Sequence, residues 1–225
     1  MNEGLILTFQ GAERADNQDF ASWHIGQRNE IWIIADGATK AKDSGHFVTS
    51  FCEKILLSLS SVAKKITAPL VFNLIETVHA DIRKDFICAK GSFLLFIVDR
   101  ETKTQHCFFL GDCRIGTIQN TGIKWATFPH NMVVAQQITN EERIRTSLER
   151  HLLFRQLIAR RFERPDYIQL DLDLSLPIIM ATDGFWSDCS LIISEKLTGT
   201  TLCEVFKSKQ NRPDDATMLL RPGQF

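Results

Sequence analysis

The sequence predicts an α+β fold in which strands come in blocks and helices are inserted in pairs. Three observations carry that expectation. Short apolar runs of strand length recur along the chain, bounded by Gly, Asp or Asn. Two longer segments between them switch to helical spacing. No regular strand–helix–strand alternation runs through the chain, which separates it from doubly wound parallel sheets. At 225 residues the chain can bury a core of its own, and with no repeats, linkers or low-complexity tracts it is read as one domain, 1–225.

The chain opens with an apolar run, Leu5–Gln10, followed by the polar stretch Gly11–Asp19. Ile31–Ala35 is short, apolar and rich in β-branched residues, which fits a strand buried on both faces with Asp36 at its exit. Phe47, Phe51, Ile55 and Leu59 then recur at helical spacing within 44–63. Leu70, Leu74, Val78, Ile82 and Phe86 do the same within 70–89, so two amphipathic helices are expected. Strands are expected over Gly91–Asp99, Thr104–Leu110 and Ile115–Gln119, with Asn120-Thr121-Gly122 as a hairpin turn into Ile123–Ala126. Residues 128–150 are polar and mixed and suggest no element. His151–Arg161 is expected to be a helix carrying Arg155, Arg160 and Arg161. Ile168–Leu172, Pro177–Ala181 and Ala216–Leu220 are expected strands, and Leu191–Lys207 is expected to be partly helical with a break at Gly199.

Composition excludes several classes of partner. The 26 Lys+Arg are balanced by 27 Asp+Glu, so bulk charge offers nothing to nucleic acid or an anionic membrane. No stretch approaches the roughly 18 apolar residues of a membrane span. The segment Met1–Leu5 has no basic stretch and no apolar run, so no signal peptide is expected and the protein is read as cytoplasmic. Cys52, Cys88, Cys107, Cys113, Cys189 and Cys203 show no metal-ligand spacing and read as small buried hydrophobes in a reducing compartment. None begins a CxxxxxR sequence, which argues against a thiol phosphatase.

The chemistry is expected from four aspartates. Asp36-Gly37, Gly111-Asp112 and Asp183-Gly184 each leave or adjoin an apolar strand, and Asp214-Asp215 precedes one. A strand end is a rigid base from which a carboxylate can point into a shared cleft, and glycine lets backbone approach an ion. Each Asp-Gly pair alone is equally a common turn. Four carboxylates together repel one another and stay ionised only beside hard cations, and all-oxygen ligation suits Mn²⁺ or Mg²⁺. Two such ions about 3.5–4 Å apart can share a water and lower its pKa. Arg14 is the candidate phosphate-binding group, since its planar fork matches phosphoryl oxygens, although taken alone it reads more readily as a solvated surface arginine near a turn.

The order of motifs adds a resemblance. Arg14-x-x-Asn17-Gln18-Asp19, Ala35-Asp36-Gly37, Gly111-Asp112-Cys113-Arg114, Ala181-Thr182-Asp183-Gly184-Phe185-Trp186 and Asp214-Asp215-Ala216-Thr217 resemble, in sequence, the PPM (type 2C) metal-dependent serine/threonine protein phosphatases over about residues 8–221. The resemblance implies a central antiparallel β-sandwich flanked by pairs of helices, with metals at one end. It implies that Asp36 bridges two Mn²⁺ or Mg²⁺ ions, that the Gly37 carbonyl holds one of them, and that Asp183 and Asp214 hold the other. Asp112, with Asp183, would support a third, weaker ion. Arg14 would bind phosphate, and Gln18 and Asp19 would stand behind the metals.

Departures from the pattern are visible. Ala38–Gly45 replaces a glycine pair and is closer to a divergent bacterial branch, Gln18 stands where many relatives carry glutamate, and Cys113 replaces a serine. The histidine proposed as general acid in animal members has no counterpart. His46 and His130 could substitute, but a surface or core role suits each better. Residues 128–150 occupy the place of a mobile flap that would influence substrate choice. The resemblance implies direct attack of a metal-bridging water on protein phosphoserine or phosphothreonine, without a phospho-enzyme, in a monomer working opposite a bacterial serine/threonine kinase. Two alternatives stay open: a weak or inactive phosphoprotein-binding regulator, and a phosphatase acting on small molecules.

Overall fold

In the computed structural model the described residues are 4–187, 204, 206 and 212–223. In chain order the elements are β1 (Leu5–Phe9), β2 (Asp19–Ile25), β3 (Asn29–Gly37), α1 (Ser44–Ser60), α2 (Ala68–Ile82), β4 (Lys90–Asp99), β5 (Gln105–Leu110), β6 (Arg114–Gln119), β7 (Gly122–Trp125), α3 (Met132–Ala135), α4 (Glu141–Thr146), β8 (Leu157–Ile158), β9 (Asp166–Leu170), β10 (Ile178–Ala181), α5 (Asp183–Trp186) and β11 (Ala216–Arg221). Two antiparallel sheets face each other. One runs β1-β11-β10-β6-β7, and the other runs β2-β3-β4-β5-β9 with β8 added to the start of β4.

Three apolar layers hold the arrangement. Between the sheets, Trp32, Ile34, Leu94 and Phe96 meet Ile115, Ile178, Met180 and Leu219. Alternate residues of the same strands, Ile31, Ile33, Phe93 and Leu95, point outward and are covered by Phe47, Phe51 and Ile55 of α1 and Val71 and Ile75 of α2. Both faces of β3 and β4 are therefore buried, which is why these strands read as unbroken apolar runs. The outer face of the other sheet, including Ile179, Met218 and Leu220, is covered by Val133, Ile144, Phe185, Trp186 and Phe206. That second cover contains only short helices among the described residues.

The predicted strands and both long helices are present, most ends shifted by a few residues, but α2 stops at Ile82, so Phe86 follows a 3₁₀ turn, Arg83–Asp85, instead of lying on the helix. Two further expectations need correction. The strand β2 went unnoticed: it is half-buried, its alternation is weak, and it is held by pairing with β3 and by Trp23 stacked on Trp32 at 5.8 Å. The expected helix over His151–Arg161 does not form. A short 3₁₀ turn, Leu148–His151, leads instead into β8, where Leu157 and Ile158 pair with Gly91 and Lys90. Leu157 and Ala159 are buried with Ile158 between them half-buried, a two-residue period that pairing with β4 imposes over local helical preference. Most of the expected helix Leu191–Lys207 lies outside the described residues, as do Cys189 and Cys203; Glu204 and Phe206 are helical.

Residues 128–150, which suggested no element, form α3 and α4. Asn131 and Asn140 cap them by accepting the N–H groups of Val134 and Arg143. Glu141 and Glu142 at the start of α4, with Arg143 and Arg145 at its end, complement the helix dipole. Those caps were readable in the sequence, but helices this short carry too little apolar periodicity to stand out. Of the described cysteines, Cys52, Cys107 and Cys113 are buried free thiols, whereas Cys88 is exposed. Among the described residues no helix is long and apolar enough to cross a membrane.

Candidate active site

Strand register brings the predicted aspartates to one end of the sandwich. Asp36 is the penultimate residue of β3 and lies between Asp19 of β2 and Ser92 of β4, while Gly37 pairs with Gly91. Asp112 occupies the turn between β5 and β6. In the opposite sheet, β10 ends at Ala181 beside Met218 of β11. Asp183 therefore follows one strand just where Asp214 precedes its neighbour. Arg14 comes from the loop after β1, which pairs with β11 on the other side.

Arg14, Asp36, Gly37, Asp112, Asp183 and Asp214 line a single cavity of about 620 Å³. Gln18 and Asp19 stand behind it. Asp19 accepts a hydrogen bond from the Thr182 hydroxyl at 2.9 Å, but its Oδ1, like the Gln18 amide oxygen, is buried without a partner. Asp215 plays a different part from its neighbour Asp214. It accepts the N–H groups of Gly11 and Gln18, both at 2.8 Å, and so anchors the loop that presents Arg14.

Each turn is held in place by its surroundings. Gly111 has φ of +103°, and a side chain there would collide with Ser92, whose hydroxyl donates to Asp112 Oδ1 at 2.7 Å. The Asp112 carbonyl accepts from the Trp186 indole at 2.9 Å. Arg114, the basic residue of the same motif, is buried, forms a fork with Glu141 at 2.9 Å on both arms, and lies over Trp125 and Trp186. At Gly184 a β-carbon would stand 1.9 Å from the Asp215 carbonyl oxygen. Gly184→Ala is therefore expected to cost about 1–3 kcal/mol in denaturant unfolding, because neither the turn nor the start of β11 has room to yield.

The electrostatics are those of carboxylates too close together. Burial first, then Asp19, Asp183, Asp112 and Asp214, push the Asp36 carboxyl well above its ordinary range. Burial also drives Asp19 to about 8 and, with Asp183 nearby, Asp112 to about 7. Burial and Asp183 raise Asp214, partly offset by Arg14. The Arg14 guanidinium holds Asp214 Oδ1 through Nε at 2.9 Å and Nη2 at 2.5 Å. Burial is the largest single influence and opposes its charge, but the Asp214 contact together with the charges of Asp215 and Asp36 leaves its pKa raised.

Among the described residues no group of three or more His, Cys, Asp or Glu side chains is drawn in tightly enough to hold a metal ion as it stands. The donor set nevertheless fits a hard divalent cation. The four aspartates and the Gly37 carbonyl offer only oxygen, the carboxyls favour neutralisation, and two oxygens beside them, on Gln18 and Asp19, have no partner.

Sequence reasoning missed several residues of the cleft. Ser92 orients Asp112. Thr39 and Lys40, from the segment that departs from the family pattern, line one wall, and His151, Leu152, Leu153 and Gln156 line another. His151 is half exposed, with Nδ1 3.4 Å from Asp183 Oδ2. It sits in the stretch misread as a helix, so only β8 pairing could have revealed its position. His130 is buried in the core and His46 is an exposed residue in the first turn of α1, a core and a surface role as expected.

Comparison with solved structures decides the fold. The serine/threonine phosphatase Stp1 of Staphylococcus aureus superposes with a TM-score of 0.79 at 17% identity, over 100% of this chain and 96% of that one. The chain has the PPM-type phosphatase fold. The PPM phosphatase MsPP of Mycobacterium smegmatis, in complex with cacodylate, gives a TM-score of 0.77 at 17% identity over 99% and 98% of the two chains. The catalytic domain of the phosphatase PstP, in complex with two manganese ions, gives 0.72 at 16% identity over 97% and 96%. No protein-family model and no curated protein matches the sequence. The PPM-type fold is thus carried here on a sequence in which fewer than one residue in five is shared with these structures, while the five ordered motifs fall at the same end of the sandwich.

Proposed function

We propose that the cleft hydrolyses phosphoserine and phosphothreonine on protein substrates in a reaction that depends on divalent metal. The observation that carries this reading is the gathering of Arg14, Asp36, Asp112, Asp183 and Asp214 around one cavity at the end of a PPM-type sandwich. Asp36, the Gly37 carbonyl, Asp183 and Asp214 are the residues that would hold two Mn²⁺ or Mg²⁺ ions, with Asp112 and Asp183 supporting a weaker third. Ions bound there supply positive charge for phosphoryl oxygens and bring the pKa of water toward neutrality.

The protein's own part is positioning and charge. Arg14 is oriented by Asp214 through Nε and Nη2, and its Nη1 has no partner among the described residues, so it remains for a phosphoryl oxygen. Asp19 and Gln18 present acceptors from behind the carboxylates, suited to holding ordered water. Leu152 and Leu153 give the cleft an apolar flank, and the His151 imidazole at its edge can donate a hydrogen bond to a substrate oxygen. On this reading the substrates are phosphoproteins of a serine/threonine kinase, and the protein acts as a cytoplasmic monomer.

The direct test is phosphate release from a phosphothreonine peptide with and without Mn²⁺. Activity that survives a chelator, or survives Asp183→Asn, overturns the proposal. Arg14→Lys keeps the charge but loses the fork, so kcat/KM is expected to fall by about 10–100-fold, chiefly through KM.

A further inference from the structure

His130 lies outside the cleft, yet it joins the turn that carries Asp112 to the wall that carries His151–Gln156. Gly111, the residue before Asp112, donates its N–H to His130 Nδ1 at 3.0 Å. The two residues are linked again through backbone, His130 N–H to the Gly111 carbonyl at 2.8 Å. On the other edge of the ring, Nε2 lies 3.0 Å from Asp166 Oδ2. Since Gly111 donates to Nδ1, the ring proton resides on Nε2 and points at Asp166. Asp166 is in turn gripped by Arg155, which also holds Glu163 through Nε at 2.7 Å. The His130 carbonyl accepts from Phe154 N–H at 3.0 Å, and Asn131 bridges to Leu153. Stacking on Phe109 at 5.1 Å leaves the ring little freedom to rotate.

The same atoms thus set two things at once: the left-handed Gly111 peptide, and the path of the cleft wall at 153–155. Apolar packing could fill the His130 position, but no apolar residue could accept the Gly111 N–H or donate to Asp166.

We infer that His130 is a positioning residue that aims Asp112 through Gly111 and couples that turn to the cleft wall through Phe154 and the Asp166–Arg155 pair. The inference builds on the proposed phosphatase reading, but its structural core can be tested without it. His130→Phe preserves the ring stack and removes both ring hydrogen bonds. His130→Asn places an acceptor where Nδ1 stood and so restores the Gly111 bond.

With a phosphothreonine peptide and Mn²⁺, His130→Phe is expected to lower kcat by about 10–100-fold with KM changed little, and His130→Asn to recover most of that loss. Asp112→Asn should cost less on the His130→Phe background than on the wild type, because the two act through one turn. In calorimetric titration of the metal-free protein with Mn²⁺, His130→Phe should lose the same weak binding event as Asp112→Asn and keep the tighter ones. Fully multiplicative effects of the two substitutions, or a kcat for His130→Phe within twofold of the wild type, would overturn the inference.

Nitrogen NMR of the ring separates this inference from the functional reading. A proton on Nε2, none on Nδ1 and a protected Gly111 amide are expected in the wild-type protein whether or not it hydrolyses peptide. The opposite tautomer overturns the inference, whereas an inactive wild-type protein with the expected tautomer overturns only the phosphatase proposal.

Discussion

Asp36→Asn is expected to lower kcat on a phosphothreonine peptide by about 10³-fold while making the metal-free protein more stable rather than less. The two effects have one cause. Asp36 lies between Asp19 and Ser92 across three strands, with Asp112, Asp183 and Asp214 close enough to oppose its ionisation. Removing its charge relieves that repulsion in the empty cleft, so thermal unfolding without metal should move upward. The same change deletes the carboxylate proposed to bridge two ions, and losses of this size are typical when one element of a preorganised charge-stabilising site is removed. The stabilisation gained on adding Mn²⁺ should disappear with the activity. A variant that remains active, or that Mn²⁺ stabilises as strongly as the wild type, would count against Asp36 as a metal ligand.

The second large effect is the response of stability to metal and pH together. Asp19 and Asp112 have folded-state pKa values of about 8 and about 7 against an ordinary 3.8, and Asp36 is displaced in the same direction. A carboxyl raised in this way binds its proton more tightly when folded. Its contribution to stability is fully present below about pH 3.8 and is lost as pH climbs through the raised values, between about 7 and 8. The metal-free protein should therefore lose stability between about pH 4 and 8 from this source. Mn²⁺ competes with those protons, so its stabilising effect should grow over the same interval. At a hundredfold excess over Kd a bound ion adds about 2.7 kcal/mol, equivalent to about 5–10 °C in Tm for a chain of this size. Calorimetric or fluorescence melts at several pH values, with chelator and with Mn²⁺, give both slopes. A Tm that ignores Mn²⁺ at pH 8 would argue that the carboxylates hold no ion.

Much of the fold was legible because burial writes a strong signal. The strands β3 and β4 are covered on both faces and read as unbroken apolar runs. The helices α1 and α2 bury one stripe each and read at helical spacing. The half-buried β2 left only a weak alternation. The two-residue strand β8 exists because Gly91 and Lys90 offer an open edge near the cleft, and nothing within 151–161 announces that edge. Local propensity favoured a helix there, and long-range pairing overrode it.

The candidate site divides along the same line. Sequence alone determined which groups could do chemistry: aspartates at strand ends beside glycine, an arginine able to fork on phosphate, and the order in which they occur. Residue type and strand position are local properties, so one chain suffices to read them. Tertiary structure alone decided that Asp36, Asp112, Asp183 and Asp214 meet in one cavity, that Asp214 holds Arg14 while Asp215 holds the loop behind it, and that His151 and Gln156 stand opposite. It also decided the part of His130, whose contacts lie 19 residues back at Gly111 and 36 residues on at Asp166. Those relations depend on sheet register and on distances between residues far apart in the chain, and a shift of one residue in β3 pairing would turn Asp36 away from the cleft.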